Sequence, residues 1–160
     1  IFFMKRLLLK IWRLLPNSYL LRRNLVWIVT QKFLVGVVGV VLNNSGEVLL
    51  LNHSYRKEYP WGLPSGWLKK GEQPKIAIER EIAEEINLKV QVVKPLIIES
   101  DNEWARLDLV FLCNFVDGEM KSSDEVSSAK FFPVNNLPKV LPSQLRIIKE
   151  TVSSSLDKNL

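Results

Sequence analysis

The feature that most constrains this chain is a short run in which three glutamates crowd one face of a predicted helix. On a helical wheel at about 100° per residue, Glu81, Glu84 and Glu85 fall within roughly a 100° arc. Carboxylates three and four residues apart repel one another, and the C-terminal half of a helix is already the negative end of its dipole. A hard dication such as Mg²⁺ relieves this repulsion, because it prefers oxygen ligands. The pattern therefore predicts a divalent-metal site.

The same helix carries a predicted core face on its other side. The apolar residues of that face are Ile76, Ile78, Ile82, Ala83 and Ile86. Glu79 lies outside the acidic cluster, and we interpret it as a solvated charge. The helix is predicted to begin near Pro74, a favoured first-turn residue, after a stretch at 59–66 whose two prolines and two glycines predict a loop.

The spacing of these residues closely resembles the Nudix box. Gly66 is followed after five residues by Glu72 and, after seven more, by the run REIAEEINL at 80–88. One position departs from the family pattern, because Asn87 stands where the family has glycine. That position closes the helix, where a left-handed residue is wanted, and Asn tolerates this conformation best after Gly. We therefore expect the local structure to be preserved.

The resemblance implies a fold, an activity and a cofactor. The implied fold is of the α/β class, with a central mixed β-sheet sandwiched between α-helices. The implied activity is hydrolysis of a phosphoanhydride bond in a nucleoside diphosphate linked to another moiety, with Mg²⁺ or Mn²⁺ as cofactor. The chemistry is coherent, because a bound dication neutralises the diphosphate and lowers the pKa of the attacking water. Neither the proline nor the tyrosine that marks two of the subfamilies stands at 100–105, so the substrate class stays broad: nucleoside triphosphates, including oxidised ones, or other nucleotide derivatives.

The resemblance also implies roles for individual residues of the box. Glu81, Glu84 and Glu85 are the expected metal ligands, and one of them is expected to act as the base that deprotonates water. Arg80 and Glu72 are expected to pair and to brace the helix against the preceding loop. A catalytically silent module that senses a nucleotide is the alternative. The complete set of carboxylates favours the enzyme, since only a metal offsets their mutual repulsion.

Further ligands and the substrate contacts are less tightly specified. The resemblance makes the backbone carbonyl of Ser65 an expected ligand, and Ser would be strained there if the position needs a positive φ. It also implies a further metal-binding carboxylate in a loop before a late strand. Glu125 is our choice, with a plain surface acid as the alternative. The residues chosen for substrate binding are Arg56, Tyr55, Trp61 and Arg106. Trp61 has a second interpretation, in which it pins the loop to the core. His53, the only histidine, is predicted to lie at the surface or to be hydrogen-bonded.

The basic character of the chain is concentrated at its beginning. The net charge is +5, yet residues 1–46 carry +7 and no acidic residue, while the remainder carries −2. Within residues 1–15 basic side chains fall on one side of a helical wheel and apolar ones mostly on the other. Three interpretations stay open: a helix packed on the domain or on a second subunit in a homodimer, a peripheral membrane contact through residues 1–30, or a remnant of a targeting segment. Basic residues interleaved with leucines do not favour nucleic-acid binding.

The organisation of the chain follows from these segments. We expect a basic arm at 1–32, a Nudix hydrolase domain at 33–152 and a frayed tail at 153–160. Apolar runs predict a hairpin at 33–51 and strands at 89–99, 107–115 and 129–132, and a helix is predicted at 144–152. The single Cys113 is predicted to be a buried thiol. It fits a reducing compartment, so we expect a cytoplasmic location, at the inner membrane surface if the arm is an anchor.

Overall fold

The structure is a computed structural model that describes residues 10, 12, 18–100 and 104–156. The chain divides into two compact units, Ile1–Lys32 and Phe33–Leu160. Most of the amphipathic pattern predicted at 1–15, and the end of the predicted tail at 157–160, lie outside the described residues.

The first unit contains helix α1, Tyr19–Val29, which buries none of its residues. Most of its large apolar side chains are exposed, with Trp27 at 67% and Ile28 at 68% of their full accessibility. Cations lie over two of the aromatic rings, since Arg23 is 5.8 Å from the Tyr19 ring and Lys32 is 4.4 Å from the Trp27 ring. Over the part of the chain that the structure describes, no helix is long and apolar enough to cross a membrane.

The second unit is built on a seven-stranded mixed sheet. Its strands are β1 Leu34–Leu42, β2 Val48–His53, β3 Trp61–Gly62, β4 Ser65–Trp67, β5 Lys89–Ser100, β6 Arg106–Asp117 and β7 Val126–Phe132. The order is β3-β2-β1-β6-β5, with β4 also paired to β1 and β7 to β2. β1 and β6 are parallel, and the other pairs are antiparallel. The predicted mixed sheet is therefore present.

The segment predicted as loop at 59–66 is partly strand. β3 pairs with the end of β2, and β4 pairs with β1 in the register Val38↔Ser65. The prolines at positions 60 and 64 exclude a helix but leave extended backbone free to pair. Strands of two and three residues are too short to show an alternating pattern, so only the pairing partner in the tertiary structure reveals them.

Two helices cover the two faces of this sheet: α2, Pro74–Ile86, and α3, Pro142–Leu156. Alternate residues of β1 divide between them, because side chains along a strand point to opposite faces. Val37 and Val41 pack in one buried cluster with Ile82 of α2, whereas Val38 packs in a second cluster with Ile148 of α3. The sheet is thus sandwiched between helices, as predicted.

Two details of the helices differ from the sequence prediction. Ile76 and Ala83 are exposed, because they lie about 160° and 140° around the wheel from the buried Ile78. α3 is longer than predicted and continues to Leu156. The helix includes the serines at 153–155, which the sequence analysis assigned to the tail.

Candidate active site

Arg80 joins the acidic helix to the strand and loop before it. Its Nε lies 2.7 Å from Glu72 Oε1 and its Nη2 lies 3.0 Å from Glu72 Oε2, so the predicted pair is present and bidentate. Hydrogen bonding from Arg80 lowers the pKa of Glu72 to about 2. Arg80 Nη1 also contacts Glu81 and Glu84, each at 2.9 Å, and Nη2 donates to the Trp67 carbonyl. One guanidinium therefore holds three carboxylates.

Glu81 packs closely against β4 because Gly66 has no side chain. A Cβ on Gly66 would lie 2.1 Å from Glu81 Cδ, which is far inside van der Waals contact. The close approach lets the Trp67 amide donate to Glu81 Oε1 over 3.2 Å. Glycine at the start of the box is therefore required by packing between the strand and the helix.

A cavity of about 440 Å³ lies beside the contact between β4 and α2. Its lining residues are His53, Tyr55, Arg56, Ser65, Gly66, Trp67, Glu81, Glu85, Arg106 and Glu125. We call it the carboxylate cavity, because three of the predicted metal-binding carboxylates meet there. Glu84 is not among the lining residues, since its side chain is 55% exposed and binds Arg80 and Lys69.

Glu85 has the most unusual environment of these carboxylates. It lies about 20° from the buried Ile78 on the helical wheel, so the packing of α2 carries it partly into the protein. Burial raises the pKa of Glu85 to about 7, and the negative charges of Glu81 and Glu125 contribute. Its Oε2 is buried and has no hydrogen-bond partner. An unpaired carboxylate oxygen beside two further carboxylates fits a cation by the chemistry of its donors.

The ligand set is not assembled in this structure. Within residues 18–100 and 104–156, no group of three or more His, Cys, Asp or Glu side chains is arranged so that it could hold a metal ion. Arg80 binds both Glu81 and Glu84. Ser65 lines the cavity, and its backbone is not in the left-handed region, so the strain considered from the sequence is absent.

The predicted substrate-binding residues separate into two groups. Arg56 and Arg106 line the carboxylate cavity, and both also line an adjoining cavity of about 320 Å³ that Asp108 and Gln144 help to form. Arg106 Nε lies 2.8 Å from Asp108 Oδ1, and its guanidinium lies 5.0 Å from the centre of the Trp67 ring. Tyr55 lines the carboxylate cavity and is 61% exposed.

Trp61 belongs to the second group. Its ring packs edge-on against Phe132, with 4.9 Å between ring centres, and it lies beside the buried cluster on the α3 side of the sheet. It is not among the lining residues of these two cavities. The contacts therefore match the second interpretation, in which Trp61 pins the loop to the core.

Two other residues differ from the sequence interpretation. Glu79 accepts a hydrogen bond from the Val92 amide over 2.9 Å, so it links α2 to β5 and is not merely solvated. His53 is only 3% exposed and lines the carboxylate cavity, so its prediction as a surface residue was wrong. Neither of its ring nitrogens has a hydrogen-bond partner. No alternating pattern indicated its burial, because residues 48–51 are all apolar and all buried.

Comparison with known proteins agrees with this architecture. A family model described as NUDIX domain matches residues 32–152. The ADP-ribose pyrophosphatase of Methanocaldococcus jannaschii is 33% identical over 124 residues, covering 72% of this chain and 71% of that protein. The RNA pyrophosphohydrolase of Blochmanniella pennsylvanica is 38% identical over 72 residues, covering 45% of this chain and 44% of that protein.

Solved structures show the same fold. A NUDIX hydrolase from Nitrosomonas europaea matches with a TM-score of 0.70 at 19% identity, covering 78% of this chain and 72% of that chain. An ADP-ribose pyrophosphatase from Streptococcus suis matches with a TM-score of 0.63 at 21% identity, covering 75% of this chain and 92% of that chain. With a family model over most of its length and a relative above 30% identity, the chain belongs to the Nudix hydrolase family.

Proposed function

We propose that the chain hydrolyses a phosphoanhydride bond in a nucleoside diphosphate linked to another moiety, with Mg²⁺ as the cofactor and Mn²⁺ as a substitute. The observation that carries the proposal is the composition of one cavity. Three carboxylates line it together with Arg56 and Arg106. Carboxylates suit a dication and guanidinium groups suit phosphate, so one cavity offers partners for both halves of a metal–diphosphate complex.

The residues that would hold the cation in the cavity are Glu81, Glu85, Glu125 and the backbone carbonyl of Ser65. Glu84, which binds Arg80 and Lys69 outside the cavity lining, is proposed as a further ligand. When bound, the cation supplies charge neutralisation at the phosphates and an activated water. Arg56 and Arg106 bind the phosphate oxygens and orient the diphosphate. Arg80 and Glu72 brace α2 against the loop, so that Glu81 and Glu85 remain on the cavity side.

Two features guide the choice of substrate. Arg56 and Arg106 line both cavities, which supports a diphosphate with a group on either side. Relatives named as ADP-ribose pyrophosphatase and RNA pyrophosphohydrolase support the same bond type. We therefore propose a substrate panel of ADP-ribose, nucleoside triphosphates including oxidised ones, and RNA with a 5′-triphosphate.

The test is product release across this panel with Mg²⁺ or Mn²⁺. We expect turnover of at least one compound, and a loss of about 100-fold or more in kcat for Glu85→Gln. Glu79→Gln is the matched control, because it lies on the same helix and its amide oxygen still accepts the hydrogen bond from Val92. If the wild type and Glu85→Gln are equally inert on every compound while binding one of them, the nucleotide-sensing module replaces the enzyme.

The basic arm has two proposed roles, a contact with a second copy of the chain and a contact with an anionic membrane at its cytoplasmic side. The exposed apolar side chains of α1 and its arginines Arg22 and Arg23 support both. Sedimentation with and without anionic vesicles separates them. If the protein pellets with anionic vesicles and the double variant Arg22→Glu/Arg23→Glu does not, the membrane contact is supported. If the mass measured without vesicles is that of a dimer, the contact with a second copy is supported.

A further inference from the structure

The carboxylate cavity contains a buried imidazole, that of His53, which the proposed reaction leaves unused. His53 ends β2, and its backbone is anchored on both sides, because its amide donates to the Pro60 carbonyl over 2.8 Å and its carbonyl accepts from the Arg56 amide over 3.2 Å. The imidazole lines the cavity at 3% exposure, yet Nδ1 and Nε2 both lack a hydrogen-bond partner. A buried polar group without a partner is unfavourable, so such a site calls for a ligand.

Arg56 brings a second unpaired nitrogen to the same place. Its Nη1 is buried without a partner. A Cβ built on Gly62 would lie 2.6 Å from Arg56 Nη1 and 3.6 Å from His53 Nε2. Glycine at position 62 thus leaves the space in which the guanidinium and the imidazole approach each other. Two unpaired nitrogens, from two side chains, therefore lie close to the same backbone position, together with Gln144 Oε1 at 3.1 Å from the same Cβ.

The charge of Arg56 acts both on the imidazole and on the acidic side of the cavity. Arg56 acts on Glu85, where it opposes the rise in pKa, and also on His53, so it lies within electrostatic reach of both. Burial, followed by the charge of Arg56, lowers the pKa of His53 to about 4. The imidazole is therefore neutral at pH 7 and offers an N–H donor without adding a second charge beside Arg56.

We propose that His53 is a specificity-determining residue that, together with Arg56, binds a phosphate oxygen of the substrate. The inference rests on the proposed function, because it takes the ligand to be a nucleotide phosphate. A phosphate oxygen accepts hydrogen bonds from both donors and carries the charge that Arg56 matches. A nucleobase offers no such charge. The carboxylates and the metal that they would hold then act on one part of the diphosphate, and His53 and Arg56 act on another.

The first test uses the fact that His53 is the only histidine. Its imidazole resonances are therefore assigned without ambiguity in the spectrum of the full chain. With Mg²⁺ present throughout, we expect inorganic pyrophosphate to shift these resonances saturably and adenosine to leave them unchanged. Lack of a response to pyrophosphate, or a response to adenosine alone, overturns the proposal. This measurement does not depend on turnover, so the proposed phosphate binding by His53 and the proposed hydrolase activity can be refuted independently of each other.

The second test uses variants of His53 in steady-state hydrolysis. His53→Leu removes the donor, and we expect KM to rise on the order of tenfold with little change in kcat, because a hydrogen bond to a charged group is lost from binding. His53→Gln restores an N–H donor and should recover most of the affinity. Asn52→Ala, on the other face of β2, is the control that should behave as wild type. An unchanged KM in His53→Leu, or an equal effect of Leu and Gln, overturns the proposal.

Discussion

Asn87 offers a sharp test of the reasoning about the helix end, because it stands where the family has glycine. It follows α2 with φ 58° and ψ 26°, and it is the only residue other than glycine with a positive φ in the described chain. Its amide Nδ2 donates to the Glu119 carbonyl over 3.1 Å. Its backbone N–H donates to the Ala83 carbonyl over 3.0 Å, which closes the last turn.

Replacing Asn87 by Ala removes the side chain that tolerates the left-handed conformation and also removes one exposed hydrogen bond. We expect the free energy of unfolding to fall by about 1–2 kcal/mol, with the backbone conformation as the larger part. In a urea titration this corresponds to a midpoint lower by roughly 0.5–1 M. Asn87→Gly relieves the backbone but loses the same hydrogen bond, so its stability should lie within about 0.5 kcal/mol of the wild type.

The comparison of Ala with Gly separates the two causes. If the conformation at position 87 dominates, the Ala variant is the less stable of the two. A Gly variant as unstable as the Ala variant would show that the hydrogen bond to Glu119 matters more than the backbone. An Ala variant as stable as the wild type would refute the assignment of a strained left-handed cap.

Three further predictions follow from the core and the cavity. Ile82→Ala removes a fully buried side chain between α2 and the sheet, so we expect a loss of about 2–5 kcal/mol in urea unfolding, with Ile82→Val near 0.5–1.5 kcal/mol. Gly62→Ala should fold normally, because the flexible end of Arg56 can move, but it should raise KM for the diphosphate substrate; an unchanged KM would contradict this placement of Arg56. Burial raises the pKa of Cys113 to about 12, so alkylation at pH 8.5 should be slow in the folded protein and fast in urea, and rapid labelling of the folded state would contradict its burial.

Much of the site was visible in the residue pattern. The helix over Pro74–Ile86 and its left-handed end at Asn87 follow from local rules of spacing and capping, whereas the pair between Arg80 and Glu72 was implied by the resemblance to the Nudix box. These features depend on residues within about 15 positions of one another. The class of fold was also accessible, since the resemblance to the Nudix box implied a mixed sheet sandwiched between helices, and the strands and two helices predicted after residue 33 matched it. The solved relatives confirm this fold.

What local rules could not supply were the residues that meet across the sheet. Glu125 reaches the cavity only because β7 pairs with β2, and that pairing also places Val126 beside His53. The burial of His53, the convergence of its nitrogens with Arg56 at Gly62 and the packing of Trp61 against Phe132 likewise depend on contacts between distant segments. The amino-acid pattern decided which groups the chain carries and which helix bears the acids. The tertiary structure decided which of them share one cavity, because burial and strand register are properties of the folded chain and not of any short segment.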